Sequence, residues 1–90
     1  MDIDYDPAKA RSNRAKHGVS FEEAATALLD SEALVREDPD AEGEHRWVLV
    51  GQSANGRLLT VVYALPPGRV RLISARRATK GESKIYAQGI

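Results

Sequence analysis

The amino-acid sequence predicts an α+β fold: a twisted antiparallel sheet of three long strands plus short edge strands, with two N-terminal helices and one C-terminal helix. Helix start signals precede residues 7, 21 and 80, and apolar residues alternate or run together in three later segments. Short turn sequences join those segments. Ninety residues support one modest core, so we expect a single domain spanning residues 1–90.

The N-terminal segment is predicted to form a short strand followed by a helix. Ile3 and Tyr5 alternate with aspartates, which is typical of an edge strand. Asp6 is a good N-cap, and Pro7 fits the first helical position. Gly18 is typical of the left-handed residue that ends a helix, so we expect the helix to end near residue 17.

The second helix is predicted from a capping box. Ser20 stands at the N-cap and Glu23 three residues later, while Val19 occupies the position of a hydrophobic staple. The apolar residues that follow recur with helical spacing. We expect them to form one core-facing stripe: Phe21, Ala24, Ala25, Leu28 and Leu29.

The second half of the chain has the pattern of strands. The three long strands are predicted at residues 46–52, 58–65 and 70–77, with a further short candidate at residues 33–37. Asn55 and Gly56 predict a type I′ hairpin turn, and residues 66–68 predict a second turn. The connections are short, so these strands should form an antiparallel meander.

The C-terminal helix is predicted from a second capping box, formed by Thr79 and Glu82, and should reach about residue 88. Gly81 lowers its intrinsic stability by about 1 kcal/mol. A sheet cannot be left bare on both faces, so we expect the helices to cover one face. The other face would then be available to a ligand or partner.

The charges are balanced overall but unevenly distributed. The 13 basic and 13 acidic residues argue against general nucleic-acid binding. Residues 9–16 and 69–84, however, are basic, while residues 30–44 carry seven acids and one arginine. If folding joins the basic segments, a local positive field forms that attracts phosphates. The alternative is ordinary surface charge that is solvated or paired.

Several classes of protein are disfavoured by what the sequence lacks. It has no cysteine, and its two histidines, His17 and His45, lack zinc-ligand spacing. No glycine-rich phosphate loop is present, so we expect neither a metal nor a cofactor. No apolar run of roughly 20 residues occurs and the N-terminus is acidic, so we expect a soluble, cytoplasmic protein without membrane association.

The first helix carries the most suggestive polar face. Lys9, Asn13, Lys16 and His17 lie near one another at helical spacing. A histidine with an ordinary pKa is a competent general acid or base. The alternative, favoured by spacing alone, is that His17 caps the terminal carbonyls of the helix and does no chemistry.

Arginines at the predicted strand ends are the other candidates. Arg76 and Arg77 face opposite sides of the sheet, so they cannot both serve one site. An arginine fork, from Arg46 or Arg76, can bind a phosphate and stabilise a phosphorane-like transition state. The alternative is a structural ion pair, for example with Glu44 or Glu82.

Two blocks of the sequence stand out, KHGVSFEEA at residues 16–24 and ISARRAT at residues 73–79. They resemble the N-terminal and C-terminal signatures of the BrnT family of toxins. The resemblance covers nearly the whole chain, including RLL at residues 57–59. Tyr5 stands where a tryptophan is common, and the C-terminal helix is short.

This resemblance implies a RelE-like fold and a metal-independent endoribonuclease that cleaves RNA and inhibits translation. Cleavage would leave a 2′,3′-cyclic phosphate. The implied catalytic residues are His17, Lys16, Arg46 and Arg76. The implied substrate-binding residues are Lys9, Asn13, Arg71, Arg77, Lys80, Glu82 and Tyr86.

The resemblance also implies a partner. It would be a BrnA-type antitoxin with a ribbon–helix–helix domain, in a heterotetramer of two toxins and two antitoxins that binds promoter DNA through the antitoxin alone. One alternative is a RelE-like module that binds an antitoxin without catalysis. A DNA-binding regulator is disfavoured because the net charge is zero and no helix-turn-helix signal is present.

Overall fold

A computed structural model describes residues 2–89 and contains, within them, three helices and one five-stranded sheet. The elements are β1 (Asp2–Asp4), α1 (Pro7–His17), α2 (Phe21–Ala27), β2 (Leu34–Glu37), β3 (Trp47–Gln52), β4 (Leu58–Ala64), β5 (Arg69–Arg77) and α3 (Lys80–Gln88). The strand order is β1-β5-β4-β3-β2. None of the helices described is long and apolar enough to cross a membrane.

The sheet is mixed, which corrects the prediction of a purely antiparallel sheet. Strands β2 to β5 are antiparallel neighbours, as predicted, but β1 is parallel to β5. Alternation of apolar and polar residues has the same period in both kinds of strand, so it carries no information about direction. No short turn joins β1 to β5, so local sequence could not reveal their relative direction.

The first two helices begin as predicted. Asp6 accepts a hydrogen bond from the Ala8 N–H at 2.8 Å, and Ser20 accepts one from the Glu23 N–H at 3.0 Å. Gly18 ends α1 with a φ of 69°, in the left-handed region that favours glycine. Local capping therefore sets these helix boundaries.

Helix α2 ends earlier than the apolar stripe predicted. The N–H groups of Leu28 and Leu29 bond to carbonyls three residues back, so the last turn tightens after Ala27. The change of pitch turns Leu29 into solvent, where it is 83% exposed. The prediction that Leu29 faces the core was therefore wrong, whereas Phe21 and Ala24 are fully buried.

The Glu23 carboxylate does not complete the predicted capping box. Its Oε2 accepts hydrogen bonds from Ser53 Oγ at 2.7 Å and Arg57 Nε at 2.9 Å. The bond from Arg57, with help from Ser53, lowers the pKa of Glu23 to about 2. Glu23 thus joins α2 to the β3–β4 hairpin.

The β3–β4 turn differs from the predicted type I′ turn. Such a turn needs positive φ at both central residues, but among residues 2–89 only glycines have positive φ. The Ser53 N–H donates to the Arg57 carbonyl at 2.8 Å, and the Gly56 N–H donates to the Ser53 carbonyl at 2.9 Å. The result is a three-residue loop in which Gly56 alone is left-handed, with a φ of 80°.

The core lies on one face of the sheet, beneath α1 and α2. We call this the helical face. It includes Leu59, Val61 and Leu72, which are at most 1% exposed, and Phe21 of α2 packs in the same cluster. Side chains alternate along the strands, so Val48, Val50, Thr60 and Val62 lie on the other side, which we call the opposite face.

Helix α3 lies over part of the opposite face, which corrects the prediction that all helices share one face. Its Glu82 accepts a hydrogen bond from Thr60 Oγ1 at 2.9 Å. Strand β3 is apolar on both sides at residues 47–50, so both faces of the sheet need cover there. Val48 is 6% exposed, and part of the opposite face remains open.

A β-bulge in β5 changes which residues share a face. Val62 pairs with Ser74 and Tyr63 pairs with Leu72, so Ile73 is the extra residue. After the bulge, Ala75 joins the buried core of the helical face. Ser74 consequently lies on the opposite face together with Arg76.

Candidate functional site

Asn13 of α1 completes the free edge of β5. Strand β1 pairs only with residues 69–71, which leaves the rest of that edge without a neighbouring strand among the described residues. The Asn13 amide donates to the Ala75 carbonyl at 2.8 Å and accepts from the Ala75 N–H at 3.0 Å. It also donates to the Val19 carbonyl at 3.0 Å. Asn13 is 7% exposed, so its amide supports the fold from a buried position.

A shallow groove follows this edge, and we call it the α1 groove. It brings together the polar residues that were predicted to share one side of α1. Lys9 and Lys16 are exposed, and His17 is half-buried at the end of the helix. The residues that line it include no carboxylate: Lys9, Ser12, Asn13, Lys16, His17, Ile73 and Ser74. The α1 groove therefore has the charge that an anion requires.

Ser74 connects the α1 groove to the opposite face. It lines the groove and also pairs with Val62 on the opposite face of the sheet. Arg76 lies two residues farther along β5 on that face, about 7 Å away at the backbone. The groove cations and Arg76 therefore border one continuous surface.

Arg76 is held by Glu82 of α3. Nη1 donates to Oε1 at 2.8 Å and Nη2 donates to Oε2 at 3.0 Å. The bond from Arg76 is the largest cause that lowers the pKa of Glu82, to about 2, and the same bond raises the pKa of Arg76. The structural ion pair considered for Arg76 is thus present, yet 41% of the arginine side chain remains exposed.

Arg46 lies at the other end of the opposite face. On β4, Tyr63 pairs with Trp47 of β3, and the next residue, Ala64, pairs with Arg71 of β5. Arg46 directly precedes Trp47, so it lies beside Ala64, across β4 from Arg71. The Nε of Arg46 is buried and has no hydrogen-bond partner within residues 2–89. It is an unsatisfied donor close to the open part of the sheet.

Arg46 and Arg76 do not converge on one point. Arg76 pairs with Thr60, whereas Arg46 flanks Ala64, four residues farther along β4. Their backbones are therefore at least about 13 Å apart. Glu82 also fixes the guanidinium of Arg76 at its own end. Arg71 donates to Glu44 at 3.2 Å and shares the end where Arg46 lies.

Three further predicted residues lie outside the α1 groove. Arg77 is exposed at the end of β5, and Lys80 is exposed at the first position of α3. The Tyr86 hydroxyl donates to Asp30 Oδ2 at 2.6 Å, which raises its pKa to about 12. The same Asp30 oxygen accepts from the Gln52 N–H at 2.8 Å, so Tyr86 anchors α3 near the end of β3.

Three residues that line the α1 groove or the opposite face were not predicted from the sequence: Ser12, Ser74 and Arg36. Ser12 lies three residues after Lys9 on α1, so helical spacing could have found it. Arg36 pairs with Val48 on the opposite face, which alternation in β2 could have indicated. Ser74 could not be found in this way because its orientation depends on the bulge. No cluster of three or more potential metal ligands occurs within residues 2–89.

Comparison with known proteins gives a consistent result. Residues 5–82 match a family model described as the ribonuclease toxin BrnT of type II toxin–antitoxin systems. The chain is also similar to the crystal structure, at 1.1 Å resolution, of the Brucella abortus ribonuclease toxin BrnT. Their TM-score is 0.64 at 25% sequence identity, over 89% of this chain and 99% of the other. No match was found among curated proteins.

Proposed function

Because the chain belongs to the BrnT family of ribonuclease toxins from type II toxin–antitoxin systems, we propose that it is a metal-independent endoribonuclease that cleaves RNA and inhibits translation. The α1 groove carries this proposal. It contains two lysines and His17, and at Ser74 it opens onto the face that bears Arg76. A phosphate in the groove would meet lysine ammonium groups on one side and, on the other, the N–H groups of Arg76 that do not bond to Glu82.

His17 and Lys16 are the proposed proton carriers. Neutral His17 takes the proton of a ribose 2′-hydroxyl, and that oxygen attacks the adjacent phosphorus. The bond from phosphorus to the 5′-oxygen of the next nucleotide breaks, and the ammonium group of Lys16 donates a proton to that oxygen. The products are a 2′,3′-cyclic phosphate and a 5′-hydroxyl.

Arg76 is the proposed stabiliser of the phosphorane. Glu82 holds its guanidinium in one orientation, and a preorganised donor is more effective than a freely moving one. Arg46 and Arg71 lie too far along the sheet to act on the same phosphate, so we assign them to neighbouring phosphates of the RNA. Lys9 contributes to binding in the groove, and Lys80 and Arg77 add positive charge near α3.

We further propose that the antitoxin partner is of the BrnA type. It would supply the ribbon–helix–helix domain, form a heterotetramer with two copies of this chain and make all contacts to promoter DNA. The proposed setting is the cytoplasm, where RNA and the antitoxin are both present. A RelE-like fold accords with the antiparallel strands and with the helices packed on the sheet.

Cleavage of single-stranded RNA by the purified chain in the presence of EDTA tests the catalytic proposal. We expect new ends that carry 2′,3′-cyclic phosphate, and a His17→Gln variant at least about 100-fold slower. His45→Gln is the matched control, because His45 is exposed and pairs with Glu37 away from the groove. Wild-type rates in His17→Gln would remove His17 from catalysis, and a requirement for Mg²⁺ would overturn metal independence.

A second candidate function is antitoxin binding without catalysis. The bidentate bond between Arg76 and Glu82 supports it, because this ion pair is also a stabilising contact between β5 and α3. The same assay separates the candidates. If the wild-type chain neither cuts RNA nor arrests growth when expressed alone, yet binds the antitoxin, the non-catalytic function is correct.

A further inference from the structure

The helical face is not fully covered by helices. At the end of the sheet beyond α2, an apolar groove crosses the strands, and we call it the β2 groove. One wall is formed by Leu28 and Ala33, which follow α2, and the floor includes Tyr63 of β4. The other side chains that line it are Asp30, Val35, Leu49, Leu65 and Val70. It shares no lining residue with the α1 groove.

Exposed apolar side chains concentrate around the β2 groove. Val35 is 51% exposed and Leu65 is 53% exposed. Ile3, 37% exposed, pairs with Val70 at the floor of the groove and extends the patch onto β1. Apolar side chains that cluster around a groove and are rimmed by polar residues are typical of a site where another molecule packs.

The charge around the β2 groove is negative. Asp30 lines the groove. Glu37 lies two residues after Val35 on β2, so its side chain is on the same side of the sheet as the groove. Arg36 is the one basic residue between positions 30 and 44, and it points to the opposite face because it neighbours Val35. No lysine or arginine lines the groove. Carboxylates would repel RNA phosphates, so the occupant is not the substrate.

We propose that the β2 groove is the docking site for a segment of the antitoxin that combines apolar side chains with lysines or arginines. The apolar residues of that segment would cover Leu65 and Val35, and its cations would meet Glu37 and Asp30. This proposal rests on membership of a type II toxin–antitoxin family and not on the catalytic assignments. Separate grooves for RNA and antitoxin allow each interaction to be changed without the other.

The test measures the affinity of the chain for its antitoxin, by isothermal titration calorimetry with both proteins full length. In Leu65→Asp, the added carboxylate should weaken binding at least tenfold. Val35→Thr keeps the β-branched shape of the side chain and should weaken binding at least threefold. Val35 also lines the cavity beneath α3, so Leu65→Asp, which alters the β2 groove alone, is the variant that the control matches. Ile85→Asp is the matched control, because Ile85 is 52% exposed but lies on α3 over the opposite face, and its affinity should stay within twofold.

Three outcomes would overturn the proposal. The first is wild-type affinity in both Leu65→Asp and Val35→Thr, and the second is an equal loss in Ile85→Asp. The third is a wild-type dimer that becomes monomeric in Leu65→Asp with unchanged antitoxin affinity, which would assign the β2 groove to a second copy of this chain. RNA cleavage by Leu65→Asp alone should equal that of wild type. If the wild-type chain cuts no RNA, the catalytic proposal fails, but the measured antitoxin affinities still decide whether the β2 groove is the docking site.

Discussion

Glu82 accepts hydrogen bonds from both terminal nitrogens of Arg76, at 2.8 and 3.0 Å, and thereby joins α3 to β5. The same carboxylate accepts from Thr60 Oγ1 at 2.9 Å and from the Thr79 N–H at 2.8 Å. Helix α3 contains no buried residue in its span from Lys80 to Gln88. Polar contacts therefore contribute to its position on the sheet alongside the apolar contacts of Ile85, and the same polar contacts fix the orientation of Arg76.

Replacement of Arg76 by lysine should reduce RNA cleavage at least about tenfold. Lysine keeps the charge but cannot make two parallel bonds to Glu82 and still donate to a phosphate, so the positive group loses its fixed position. Steady-state cleavage rates and thermal melting measure the two effects. Arg77→Lys is the matched control, because Arg77 is exposed on the other side of β5. Equal rates in Arg76→Lys and wild type would show that the bidentate geometry is not needed.

The Arg76–Glu82 pair should make stability depend on pH in the acid range. The pKa of Glu82 is lowered from 4.5 to about 2 in the folded chain, so its stabilising contribution is complete above about pH 4.5 and is lost as the pH falls toward 2. Glu82→Gln should lower the free energy of unfolding at pH 7 by roughly 1–3 kcal/mol and flatten its decrease between pH 5 and 2. Urea unfolding at several pH values measures both.

The control for this pH dependence is Glu42→Gln, because Glu42 is exposed in the loop before β3. Its pH profile should follow that of wild type. The pKa of Glu23 is also lowered to about 2, chiefly by Arg57, so part of the acid sensitivity should remain in Glu82→Gln. An unchanged profile in Glu82→Gln would mean that the ion pair contributes no net stability.

Asn13→Ala should destabilise the chain by roughly 2–4 kcal/mol. The substitution removes three hydrogen bonds and leaves both backbone groups of Ala75 without their partner at the edge of β5. A loss of 1 kcal/mol lowers the melting temperature of a domain of this size by about 4–8 °C, so calorimetry will resolve it. Ser12→Ala, at an exposed neighbouring position, should change little. An Asn13→Ala variant that melts like wild type but binds RNA poorly would restore Asn13 as a substrate-binding residue.

Tyr86→Phe should loosen the C-terminal half of α3 without slowing RNA cleavage. Its hydroxyl bonds to Asp30 at 2.6 Å, and Asp30 also holds the Gln52 N–H, so the lost contact anchors the helix to the end of β3. We expect faster hydrogen exchange for α3 amides and a stability loss of about 1 kcal/mol. A large fall in cleavage rate at unchanged exchange would instead place Tyr86 at the substrate.

Features that depend on neighbouring residues were predictable from the sequence. The caps at Asp6, Ser20 and Thr79 and the left-handed Gly18 are present as predicted, since each involves groups within a few positions. The three long strands begin and end within one residue of the prediction, because alternation of apolar residues is itself local. The signature segments of the BrnT family could likewise be recognised without coordinates, and the match of the family model to residues 5–82 confirms the family.

The polar side of α1 was also predictable, because helical spacing alone places Lys9, Lys16 and His17 together. What they face could not be read from that spacing. The groove exists because β1 ends early and leaves an edge of β5 open, and Asn13 then bonds to Ala75, 62 positions away. The positions of the cations on α1 were therefore predictable from the sequence, whereas the strand edge beside them depends on tertiary packing.

The sequence by itself therefore determined the family, the elements and the groups of charged residues, since all of these are encoded within short stretches of chain. Tertiary structure decided the parallel direction of β1, the bulge at Ile73, the position of α3, the partners of Glu23 and the bond from Thr60 to Glu82. Each of these depends on contacts between residues distant in sequence, whose energies are set by how the elements pack together. A pattern of a few residues contains no information about that packing.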